Sequence, residues 1–110
     1  MKDIIEGTGN VYTDLGFPDA EEMRVKAQLA TAISDIITAQ KLTQQQAAEM
    51  VGLTQPKLSQ LLNGHFRGIS EVKMMECLAR LGRDVRIVIG QERPRRRSPA
   101  RVEVLQEAAV

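Results

Sequence analysis

The apolar positions of this chain repeat at helical spacing through most of its middle and change once, near residue 84, to alternation. Val25, Leu29, Ala32, Ile33, Ile36 and Ile37 share one broad face of a helical wheel, with Arg24, Gln28, Thr31, Ser34, Asp35 and Thr38 opposite. That periodicity predicts an amphipathic helix ending near Lys41. Asp19-Ala-Glu-Glu22 marks its start as a capping box, with acids at the electropositive end. Between residues 43 and 64, Ala47, Ala48, Val51, Leu53, Leu58, Leu61 and Leu62 provide the apolar contacts, interrupted by Gly52. This pattern predicts two short helices joined by a tight turn. Thr43 caps the first, with Gln46 three residues on to close a capping box, and Thr54 caps the second. Gly52 stands where the first helix must stop in a conformation open to glycine. Ala48 offers only a methyl group where two helices cross at close range.

Ser70 caps a further helix in which Met74, Met75, Leu78, Ala79 and Leu81 are candidates for burial, and Gly82 ends it. Over Val85, Arg86, Ile87, Val88 and Ile89 the period shortens towards two, a strand pattern. A lone strand leaves its backbone groups unpaired. Its expected partner is the same strand of a second copy across a two-fold axis; the alternative is the N-terminal arm near Val11 and Tyr12. Gly7, Gly9, Asn10, Gly16 and Pro18 make residues 1–18 an irregular arm. The expected organisation is an arm (1–18), a helical domain with its C-terminal strand (19–90) and a flexible basic tail (91–110). The tail holds Pro94, Pro99 and five arginines between Arg93 and Arg101, and Val102 to Val110 has the composition of a short helix.

Length limits the chain to one domain with a modest core: it has 110 residues. Tyr12, Phe17 and Phe66 are its only aromatic residues, so aliphatic and Met side chains must fill the interior. No apolar run is long enough to span a membrane, and Met1 to Gly7 lacks the apolar core of an export signal, so a cytoplasmic location is expected. Cys77, the single cysteine, rules out an internal disulfide and reads as a small buried hydrophobe. Net charge is only +1, but it is unevenly spread. Residues 1–22 carry −5, residues 23–56 carry +1, residues 57–101 carry +7 and residues 102–110 carry −2. A basic half that begins in the second short helix is an electrostatic footprint for phosphate.

That second helix has an outer face with nothing apolar to bury. Gln55, Lys57, Ser59, Gln60 and Asn63 place amide, hydroxyl and ammonium groups there, the groups that read base edges and hold phosphates. The competing reading is a helical hairpin whose polar face is merely solvated. In the same way, the arginines of the tail are either a solvated tail or a non-specific phosphate clamp.

These features resemble the Xre family of lambda-repressor-like helix-turn-helix proteins. The match covers residues 42–64 through Gln44, Ala48, Gly52, Leu58, Leu61 and Asn63-Gly64. The stretch from Asn10 to Glu22, with Phe66-Arg-Gly-Ile-Ser70 and Leu81-Gly-Arg-Asp-Val85, is similar to the HigA-type antitoxins of bacterial toxin–antitoxin operons. The resemblance implies an all-α fold, a bundle of four to five helices carrying one short C-terminal strand. It implies that Gln44 touches a phosphate, that Gln55 and Gln60 read bases, and that Asn63 and Arg67 hold the backbone, with Thr54, Lys57 and Ser59 on the same surface. Pro56 departs from relatives that have a base-reading donor there; in the first helical turn it costs no hydrogen bond and would meet a thymine methyl. The implied partners are double-stranded DNA at a palindromic operator, a second copy of the chain, and a small ribonuclease-type toxin.

Three classes of function follow. The first is a sequence-specific repressor acting by occupancy, with recognition helices about one duplex turn apart. The second is a toxin-neutralising interaction protein, with the acidic N-terminal arm as its binding surface unless that arm simply packs on the domain; a plain Xre-type regulator without a toxin is the remaining variant. The third, an enzyme, is rejected. His65 is the only histidine, the acids lack paired geometry, and no Gly-rich phosphate loop runs from strand to helix. No cofactor is expected. RNA binding is disfavoured by the scarcity of aromatic stacking residues.

Overall fold

The computed structural model describes residues 19–92 and 101–107, and among these described residues four helices account for the regular structure. They are α1 (Ala20–Ala39), α2 (Gln44–Val51), α3 (Gln55–Leu62) and α4 (Glu71–Arg80). The long α1 packs against α4 and α3, and α2 closes the bundle against α3 and α4. Seven large side chains are fully shielded at the centre: Met23, Val51, Ile33, Leu58, Leu61, Met74 and Cys77. Burial raises the pKa of the Cys77 thiol by desolvating the thiolate; Glu76 adds to the rise, whereas Lys73 and Arg80 oppose it. Among the described residues no helix is long and apolar enough to cross a membrane.

The helix boundaries follow from local hydrogen bonding. At α2 the capping box forms: the Gln46 amide N–H donates to Thr43 Oγ1 at 3.0 Å, and the Thr43 N–H donates to Gln46 Oε1 at 2.9 Å. Thr54 and Ser70 cap α3 and α4 in the same way, accepting from the backbone N–H of Lys57 and Lys73. At the end of α1 the chain turns through Lys41, whose φ of 57 is left-handed. Gln40 then ties this corner to the end of α4 by donating from Nε2 to Leu81 O at 3.0 Å.

Several expectations are corrected. Residues 85–89 form no strand: among the described residues no backbone hydrogen bond pairs them with a neighbour, and Ile87, Val88 and Ile89 are largely exposed. Asp19 stands at the N-cap of α1 but makes no side-chain cap bond, because its carboxylate is turned to Arg67. Arg24, placed on the solvated face by the wheel, is buried. Its guanidinium donates to Glu21, to Gln28 and to the carbonyl of Val102. Ala79 is exposed, and the burial it was expected to share falls to Cys77. Residues 101–107 carry no helix; they lie over α1, with Val104 half-buried against the core and Gln106 bonded to Asp35. The readings of the arm (1–18) and of tail residues 93–100 and 108–110 lie outside the described residues.

Candidate nucleic-acid interface

The two short helices are held by a small elbow. Ala47, Val51, Leu58 and Leu61 are wholly buried and Ala48 is 3% exposed, so α2 and α3 meet through small and aliphatic groups alone. Gly52 ends α2 in the left-handed conformation, φ 77, and its N–H donates to Ala48 O at 2.9 Å. A Cβ at this position would come within 3.2 Å of Arg80 Nη1, which lies across the turn. Leu53 fills the corner and Thr54 restarts the helix.

Leu58 and Leu61, with half-buried Leu62, fix which way α3 faces. At 100° per residue the direction opposite to them is occupied by Pro56, Gln60 and Asn63, flanked by Gln55, Lys57 and Ser59. All six are exposed except Ser59, which is half-buried. Gln44, at the first turn of α2, and Thr54 are exposed too. The side chains of Gln44, Gln55, Lys57 and Gln60 form no hydrogen bond to any described residue, so their donors and acceptors remain open to an external partner. Asn63 differs: its amide nitrogen turns back to donate to Ser59 O at 2.9 Å and to Ser59 Oγ at 3.3 Å. Its amide oxygen is the group left outward.

Arg67 follows in the loop after α3, between Phe66 and Ile69, which are 4% and 5% exposed and anchor that loop in the core. Its guanidinium is ion-paired to Asp19 at the start of α1. Its carbonyl accepts from Lys26 Nζ at 2.9 Å. Lys26 is only 2% exposed and also pairs with Glu22 at 3.0 Å, so the buried ammonium is compensated on two sides. Lys26 is not among the residues expected to line the core. A signal was there: on the wheel it falls among Met23, Ala30, Ile33 and Ile37, a lysine inside the apolar stripe.

The expected contact residues are thus exposed except for half-buried Ser59: those of α3 lie along or beside its outer face, Gln44 opens α2, Thr54 caps α3, and Arg67 stands in the loop after it. Comparisons with known proteins bear on the fold and the family. A family model described as a helix-turn-helix domain matches residues 11–90. A solved structure named as an XRE family transcriptional regulator is 41% identical, with a TM-score of 0.74 over 82% of this chain and 100% of that one. The chain belongs to the XRE family of helix-turn-helix proteins. No curated protein matches it. The HigA-type subgroup receives no separate support from these comparisons.

Proposed function

We propose that this XRE-family chain is a sequence-specific DNA-binding transcriptional regulator that lays α3 in the major groove. The observation that carries this reading is the face of α3 directly opposite Leu58 and Leu61. There Pro56 and Gln60 project to solvent, flanked by the uncommitted amide of Gln55. Glutamine amides make bidentate pairs with adenine, and proline offers an apolar contact for a thymine methyl. Gln44, Lys57 and Arg67 border this face as phosphate contacts, with Thr54, Ser59 and Asn63 completing the surface. Gel-shift titration against the DNA upstream of its own gene tests the reading. Gln60→Ala is expected to weaken specific binding by about 1–3 kcal/mol while leaving non-specific binding nearly unchanged. Unaltered specific affinity after replacing Gln55 and Gln60 together would remove α3 as the reading element.

Action as a homodimer on a palindromic site belongs to this proposal. What supports it is the apolar run of Val85, Ile87, Val88 and Ile89, from 40% to 88% exposed, which a second copy would cover. Sedimentation with and without DNA gives the stoichiometry. Autoregulation as an antitoxin rests on the HigA-type resemblance alone, and co-purification with the product of the adjacent gene decides it.

A further inference from the structure

We propose that Asp19 is an internal rival of the DNA backbone for Arg67, so that affinity for DNA depends on how readily this arginine leaves one anion for another. The proposal rests on the reading above, in which Arg67 contacts phosphate.

Asp19 occupies the N-cap of α1, where its carboxylate would ordinarily accept from the first backbone N–H groups. It makes no such bond, and the cap residue has φ −101 and ψ 26 instead of extended geometry. The carboxylate is spent on Arg67, 48 positions along the chain. Both partners can be reached from solvent, with side chains 29% and 59% exposed, so the pair can open without disturbing the core. The main chain beneath is held firmly. Lys26 grips the Arg67 carbonyl from within the core, Phe66 and Ile69 are buried on either side, and the Ile69 N–H donates to Phe66 O at 3.0 Å. The loop therefore stays in place while the guanidinium changes partner. In the free protein the pair is neutral and adds nothing to the attraction for DNA. On binding, Arg67 turns to a phosphate and Asp19 is left beside the same polyanion.

Asp19→Asn keeps the size of this position and one acceptor oxygen, and removes the rival charge. The test is anisotropy titration of the full-length protein across a series of salt concentrations. The probes are a labelled duplex of roughly 30 base pairs of arbitrary sequence, for the phosphate contribution alone, and the duplex upstream of its own gene. Asp19→Asn is expected to tighten binding to both duplexes by roughly three- to tenfold at low salt. It should also steepen the dependence of log K on log salt by up to about 0.9, the contribution of one further neutralised phosphate. Arg67→Ala alone should weaken binding, and adding Asp19→Asn to it should bring a clearly smaller gain than in the wild type, only the relief of repulsion between the carboxylate and DNA. A purely structural role for Asp19 would move the urea midpoint and leave the salt slope alone. Wild-type binding with an unchanged slope in Asp19→Asn, or an equal gain in the Arg67→Ala background, overturns this inference while the regulator reading stands. Wild-type protein that binds neither duplex overturns both.

Discussion

At the scale of single residues, the most informative side chain is one that breaks the hydrophobic pattern. Lys26 lies inside the apolar face of α1, 2% exposed, and its ammonium is balanced by Glu22 and by the carbonyl of Arg67. Replacing a compensated buried charge with an apolar group of like shape is often close to neutral, whereas leaving an unpaired charge in the same place is costly. Lys26→Met is therefore expected to shift the urea midpoint by the equivalent of less than about 1 kcal/mol. Lys26→Glu, which sets a second carboxylate next to Glu22 with no cation between, should cost about 3–5 kcal/mol. Equal effects from the two would mean that the ammonium contributes nothing beyond its volume. The periodicity of α1 made this position visible, but not its partner, since Arg67 is 41 residues away and the pairing exists only once the loop has folded back. Asp19 shows the converse. Its local signature as a helix cap was clear, and a tertiary ion pair overrode it.

At the scale of elements, local chemistry sets the helix-turn-helix, and it was legible for that reason. Thr43, Gln46, Thr54 and Ser70 make the caps that their spacing announces. The apolar positions of residues 43–64 turn inward except Met50, which is 40% exposed, and the polar face of α3 is left outward. The stretch 85–89 was misread because alternation says only that a strand could form. Whether it does depends on a neighbour, and none is present among the described residues. The elbow itself is open to a direct test. Gly52 has φ 77, which disfavours any side chain, and a Cβ there would also approach Arg80 Nη1. These two costs separate, since the guanidinium is the mobile end of a long side chain and can withdraw, whereas the backbone cannot. Gly52→Ala is expected to lose about 1–2 kcal/mol of stability from the left-handed conformation. Combining it with Arg80→Ala should restore little of that loss in urea unfolding. Full recovery in the double variant would show that crowding by Arg80, and not the dihedral angle, makes glycine necessary here.

At the scale of the whole molecule, residues 101–107 return to the domain and run across α1 on the side of Glu21, Arg24 and Asp35. Their anchors are of two kinds. Arg86–Glu107 at 2.7 Å and Arg101–Glu21 at 3.5 Å are exposed ion pairs, which typically contribute little and weaken further in salt. Val104 is half-buried against the core, and the carbonyl of Val102 accepts from the largely covered guanidinium of Arg24. Partial burial of one valine is worth about 1 kcal/mol, and a charge-assisted hydrogen bond to a carbonyl from which water is partly excluded is of similar size. The apolar contact and this one hydrogen bond should therefore hold the segment, with the surface ion pairs secondary. Val104→Ser is expected to lower the heteronuclear NOE of the amides from Arg101 to Glu107 and to speed their hydrogen exchange. Glu107→Gln should change both by much less, and raising the salt concentration on the wild type should reproduce the Glu107→Gln result and not that of Val104→Ser. If salt alone frees the segment, the surface pairs carry the attachment. Composition could not have distinguished these outcomes, because an Arg- and Pro-rich stretch precedes the segment and hides the single apolar side chain at 104 that meets the core.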